Sequence, residues 1–195
     1  MIKIDTDKLQ EGYVLHGRGT TAFAKAIRAV LNLKADKTFP CWGNHDGLII
    51  KDRCSEAFVI GESVSPFAKL TSLQYYEKMV NGGQYEIKIY QVLGATPESG
   101  SKAAMFWIEH VNNTPYDWFG IFKLLWKYVS IRLGQKNVGW EWAHWCTEGV
   151  AEAWREGGKI DAWTKINPTP YTTEKRAREG FLKDVTAEVI VNADA

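Results

Sequence analysis

Apolar and polar positions alternate through much of the first half of the chain. Gly12-Tyr13-Val14-Leu15-His16 predicts a short strand, Gly17-Arg18-Gly19-Thr20 a turn, and Thr20 or Thr21 the cap of a helix from Ala22 to Leu33. Lys34 to Gly43 is polar and carries Pro40, which predicts a loop. Asn44 to Ile50 and Ala57 to Glu62 predict two strands, joined by the polar turn Lys51-Asp52-Arg53-Cys54-Ser55-Glu56 into a hairpin. Leu70 to Val80 has helical spacing that Asn81-Gly82-Gly83 stops. Gln84 to Leu93 sets Tyr85, Ile87 and Ile89 against Glu86 and Lys88, the period of a further sheet strand.

Beyond that strand the period becomes helical. Ser99 or Ser101 caps a helix to about Val111, Thr114-Pro115 ends it, and Asp117 to Leu133 forms another. A helix opening near Cys146 runs to about Arg155, ahead of Gly157-Gly158. The tail predicts a helix from Glu174 to Leu182, capped by Thr172 or Thr173, and a final strand from Thr186 to Val191. There is no internal repeat. The pattern predicts an α+β fold: a small antiparallel sheet packed against helices drawn largely from the second half, in one domain spanning 1–195.

Composition narrows the function. Lys plus Arg number 24 against 23 Asp plus Glu, so a formal charge of +1 supplies no field that draws the chain to nucleic acid. Three cysteines are an odd number, and Met1 to Lys8 lacks the apolar stretch of a secretory signal. The expectation is a reducing cytoplasmic location, or a phage-encoded protein released by lysis or carried in a particle. The longest apolar stretch, Trp118 to Ile131, is interrupted by Lys123 and Lys127, so no transmembrane segment is expected. Most of the nine tryptophans fall between Trp107 and Trp163, where they build a core or line a substrate groove.

The chemistry centres on Cys146. A thiol opening a helix meets unpaired backbone N–H groups and the positive end of the helix dipole, both of which favour the nucleophilic thiolate. Such a thiol needs a base, and the base needs an orienting group. His144 is two positions from Cys146 and faces elsewhere on a helix, while His16 and His110 carry no partner signal. His45 has one. A turn centred between Arg53 and Cys54 sets Ile50 opposite Ala57, Leu48 opposite Val59 and His45 opposite Glu62, within reach of a carboxylate–imidazole hydrogen bond. Glu148, in the first helical turn, reads as a partner of the helix dipole. Cys41-x3-His45 has no second doublet of zinc-site spacing, so neither a metal nor another cofactor is expected. Trp140, Trp142, Trp145 and Trp154 are candidates both for core and for a substrate wall.

These segments resemble a known family, the circularly permuted NlpC-like papain superfamily, or YiiX-like cysteine hydrolases, over roughly residues 12 to 156. Gly12-Tyr13-Val14-Leu15 with Gly19 and Ile27-Arg28 is similar to the family's opening strand, loop and helix, and Asn44-His45-Asp46-Gly47-Leu48-Ile49-Ile50 to its histidine strand. Phe58-Val59-Ile60-Gly61-Glu62-Ser63 looks like the strand bearing the acid. Thr114-Pro115-Tyr116-Asp117-Trp118 looks like the segment with a tyrosine beside the site, and Trp145-Cys146-Thr147-Glu148-Gly149-Val150 like the nucleophile motif, where Cys-Ser-Glu is usual. The resemblance implies a permuted papain-like fold and a peptidase or amidase with Cys146 as nucleophile, His45 as general base and acid, and Glu62 as its orienter. Tyr116 and Trp145 would border a peptide, peptidoglycan-derived or lipid-amide substrate. The alternatives are a non-catalytic lipid- or glycan-binding module on the same fold, or a lipid amidase or acyltransferase.

Overall fold

A computed structural model describes residues 1–32, 35, 37–117, 145–163 and 168–192. Its strands are β1 (Ile2–Ile4), β2 (Val14–Gly19), β3 (His45–Lys51), β4 (Phe58–Ser63), β5 (Ala68–Ser72), β6 (Tyr85–Val92), β7 (Leu182–Asp184) and β8 (Ile190–Asn192). Its α-helices are α1 (Ala22–Asn32), α2 (Leu73–Asn81), α3 (Pro97–Phe106), α4 (Cys146–Glu152), α5 (Pro170–Arg178) and α6 (Thr186–Val189). Six strands form an antiparallel sheet in the order β5-β4-β3-β2-β6-β7, and β1 pairs with β8 in a second, two-stranded one. The expected α+β class, with an antiparallel sheet against helices, is what the structure has. The expected helix from Asp117 to Leu133, together with Trp140, Trp142 and His144, lies outside the described residues.

Strand alternation divides the sheet into two faces. Val14, Leu48, Ile50, Tyr90 and Val92 turn one way and meet α3, the wider turn Trp107–Val111 that continues it, and α4. Trp107, Trp154 and Trp163 are all but fully buried on this side, and Trp154 Nε1 and Trp163 Nε1 donate to Gly12 O and Thr173 Oγ1 at 3.0 Å. Leu15, Ile49, Ile60, Ile87 and Ile89 turn the other way, onto Leu73 and Tyr76 of α2 and onto Val189 of α6. Trp154 is therefore core and no substrate wall.

Several boundaries differ from the sequence expectation, for identifiable reasons. Arg18 and Gly19 extend β2 because Glu86 and Tyr85 of β6 remain paired to them. Leu70 begins no helix: Ala68 to Ser72 pairs with β4 as an edge strand, and Ser72 Oγ then accepts from Tyr75 N to start α2. The helices α3 and α5 start earlier than expected, under Thr96 and Thr169. Each is followed by proline and closes a reciprocal capping box, with Ser99 and Thr172 respectively. At the C-terminal end, Leu182 to Asp184 pairs with β6, and Thr186 to Val189 is helical before β8 begins.

Candidate active site

β3 and β4 carry the proposed base and its orienter. The loop between them is closed by Asp52 N donating to Ala57 O and Glu56 N to Asp52 O, with Glu56 at a φ of 58°. The turn has the expected six residues but is centred one residue later, between Cys54 and Ser55. The register is Leu48↔Gly61 and Ile50↔Val59, two residues away from the expected one. A shift of two keeps every side chain on its face. His45 and Glu62 therefore remain on the same side but meet diagonally across Gly47, where an added Cβ would lie 3.7 Å from the Glu62 Cβ.

His45 Nε2 donates to Glu62 Oε2 at 2.7 Å. Glu62 also accepts from Tyr76 on the same oxygen and from Thr71 on the other. Burial opposes ionisation of this carboxyl, yet His45, Thr71 and Tyr76 hold its pKa down at about 2. At the imidazole, burial likewise opposes charge, but Tyr85, a hydrogen bond with Cys146 and the Glu62 carboxylate raise the pKa of His45 well above 6.5. With Nε2 committed to Glu62, Nδ1 is the nitrogen left to the sulfur.

The start of α4 is tied to the start of β3 by Thr147 Oγ1, which donates to Asp46 Oδ2 at 2.5 Å and brings Cys146 to the end of the sheet that carries His45. Trp145, extended at φ −88° and ψ 171°, is the N-cap, and its carbonyl accepts from Gly149 N at 3.1 Å. The helix lies close to the sheet because residue 149 is glycine: a Cβ there would meet Val111 Cγ1 at 2.9 Å and Ser63 Oγ at 3.2 Å. Cys146 itself is buried. Glu148 stands in the first turn of α4, as expected of a dipole partner.

A groove of about 350 Å³ opens beside His45 and Glu62, with Phe23 and Ile27 of α1, Tyr75 and Met79 of α2, and Tyr116 among its walls. Burial, more than any neighbouring group, pushes the Tyr116 phenol above its ordinary pKa. Trp145 differs from the expectation. It is 3% exposed, its indole N–H donates to Pro168 O at 2.7 Å, and it is absent from the walls of the groove, so it packs α4 against the segment leading into α5. Tyr85 was not singled out in the sequence. Its ring lies over Gly17, where a Cβ would fall 2.4 Å from the hydroxyl, and stands edge-on to Tyr76 at 5.6 Å between centroids. Burial raises its pKa to about 12 although the charge of His45 acts to lower it.

A second buried cluster lies one residue away. His16, for which the sequence showed no partner signal, is fully buried: Nδ1 donates to Asp46 Oδ1 at 2.6 Å and Nε2 to Glu174 Oε1 at 3.2 Å. Burial opposes its charging, yet Asp46 and Glu174 raise its pKa from 6.5 to about 9. Asp46 Oδ2 accepts from Thr147 Oγ1 at 2.5 Å and from Thr173 Oγ1 at 2.9 Å. Glu174 Oε1 accepts from the backbone N–H groups of Trp42 and Gly43, both at 2.8 Å.

No family model and no curated protein matches the chain. Among solved structures it is similar to YiiX from Escherichia coli O157:H7, described as a metalloprotein of DUF1105. The two share 17% identity at a TM-score of 0.54, over 93% of this chain and 87% of that one. The likeness extends to the fold, which is YiiX-like. Among the described residues, no group of three or more His, Cys, Asp or Glu side chains is arranged to hold a metal ion. No described helix is long and apolar enough to cross a membrane.

Proposed function

We propose that the chain is a thiol hydrolase of the permuted papain type, cleaving an amide through an acyl-enzyme on Cys146. The observation that carries this reading is the doubly engaged imidazole. His45 is held by the Glu62 carboxylate on Nε2, and the sulfur at the start of a helix acts electrostatically on the same imidazole. That arrangement suits a thiolate–imidazolium pair.

In this mechanism the Cys146 sulfur attacks the substrate carbonyl carbon, and backbone N–H groups at the start of α4 stabilise the oxyanion. His45 Nδ1 gives its proton to the leaving nitrogen, the C–N bond breaks, and the amine departs from a thioester. Nδ1 then takes a proton from water, the hydroxide attacks the thioester, and Cys146 leaves with the carboxylic acid released. Glu62 stays ionised throughout and holds the imidazole in one orientation. Among peptide, cell-wall peptide and lipid amides, the apolar walls at Phe23, Ile27 and Met79 favour a substrate with an apolar group next to the scissile bond.

The test uses p-nitrophenyl butyrate as an acyl donor, with intact-mass analysis after an acid quench. The reading predicts nitrophenol release and a butyryl adduct on Cys146, both lost in Cys146→Ala and in His45→Ala. Adduct on the exposed Cys54 alone, or equal turnover in all three proteins, would leave a non-catalytic binding module as the better account.

A further inference from the structure

The sheet places the two reactive groups on opposite sides of a strand. His45 and Asp46 are consecutive on β3, so they point to opposite faces. The helix bearing the nucleophile packs on the Asp46 face, where Val150 and Ala151 join the cluster containing Leu48 and Ile50. His45 lies on the other face with Glu62 and Tyr76. Cys146 must therefore reach past the first residue of β3, and the height of α4 along that strand decides whether the sulfur meets the imidazole.

One contact fixes that height. Thr147, next to the nucleophile and fully buried, donates through Oγ1 to Asp46 Oδ2 at 2.5 Å, next to the base. The carboxylate cannot follow the helix if it moves. Its Oδ1 is held by His16 Nδ1 at 2.6 Å, and Oδ2 also accepts from Thr173 of α5 at 2.9 Å. His16 is in turn tied to Glu174, whose Oε1 is pinned by two backbone N–H groups at 2.8 Å. Three separate parts of the chain, β2, α5 and the loop at Trp42 and Gly43, thus hold the carboxylate against which the start of α4 is fastened.

We infer that Asp46, acting through Thr147, is the positioning residue of the nucleophile, setting the sulfur of Cys146 against His45. This rests on the thiol–imidazole reading above. Thr173 is the natural control: it donates to the same oxygen of Asp46, but from a helix that carries no reactive group.

The experiment measures the second-order rate of Cys146 with iodoacetamide, followed by peptide mass, with the exposed Cys54 as internal reference. It is run on the wild type, Thr147→Val, Thr147→Ser, Thr173→Val and His45→Ala, with a thermal melt of each. A displacement near 1 Å in a reacting pair costs on the order of a hundredfold. Thr147→Val is therefore expected to slow Cys146 by about tenfold or more while leaving Cys54 unchanged, Thr147→Ser to restore the rate, and Thr173→Val to lower the melting temperature without slowing Cys146. Equal slowing by the two valine variants, or none by either, overturns the positioning role. If Thr147→Val does not fold, Thr147→Ala replaces it under the same criteria: slowing of Cys146 in Thr147→Ala but not in Thr173→Val supports the role, and equal rates in the two decide against it. A wild-type rate indifferent to His45→Ala instead overturns the thiol–imidazole pair itself, and the positioning role with it.

Discussion

Replacing His16 with glutamine tests the electrostatics of the buried cluster. The wild-type imidazole sits fully buried between two carboxylates and its pKa is raised from 6.5 to about 9. A raised pKa stabilises the fold wherever the unfolded imidazole also binds its proton less tightly than the folded one. The contribution is complete below 6.5 and is lost as pH climbs through about 9. A lift of that size corresponds to on the order of 3 kcal/mol, or about 6–12 °C in melting temperature for a chain of this length. His45, also raised well above 6.5, adds a loss of the same sign in the same direction. Urea unfolding of the wild type should therefore show stability falling between about pH 6 and about pH 9.5. His16→Gln, which leaves Asp46 and Glu174 buried without their cation, should be less stable at the lower pH by about 3 kcal/mol or more. The gap between the two proteins should narrow as pH rises. A gap that stays constant across the range would show that His16 is neutral in the folded state, and the charge account of the cluster would fall.

Three further outcomes follow from the site and its support. Glu62→Gln keeps the shape but not the charge that orients His45, so nitrophenyl ester turnover should fall by about a hundredfold or more while Cys146→Ala remains the lower limit; unchanged turnover would remove Glu62 from the mechanism. Because Glu62 is held down at about 2, wild-type stability should also drop as pH falls from 4.5 toward that value, and the drop should be shallower in the glutamine variant. Gly149→Val drives a branched side chain into Val111 and Ser63, and a thermal melt should show a loss of about 1–3 kcal/mol through overpacking, together with slower alkylation of Cys146. A melt like that of the wild type would show that α4 has room to lift.

The pairing of His45 with Glu62 was legible because alternation is robust. The loop from 52 to 57 moved the register by two, and an even shift leaves both side chains on one face. The His16 cluster was not legible. Polar residues at His16 and Asp46, inside otherwise apolar central strands, were a signal of buried partners, but Glu174 lies 158 residues from His16 and no local pattern links them. The helix starts at Thr96 and Thr169 were readable in retrospect. Both begin Thr-Pro and place a hydroxyl residue three positions after the threonine, whereas the expectation settled on hydroxyls further along. β5 was hidden by a different effect: Leu70 fits the helical period of the residues after it, and only pairing with β4 makes it a strand. Trp145 looked like a substrate contact because of its neighbour in sequence, yet the N-cap geometry of α4 turns its side chain inward, toward Pro168.

The central claim is that the sulfur of Cys146 and the imidazole of His45 form one electrostatic unit. Histidine-labelled protein, titrated by NMR in the wild type and in Cys146→Ser, measures it directly. The His45 resonance should titrate well above 6.5 in the wild type and shift clearly downward when the sulfur is replaced, while His16 stays near its own high value. An identical His45 titration in the two proteins would mean that the thiol and the imidazole do not sense each other, which contradicts the account.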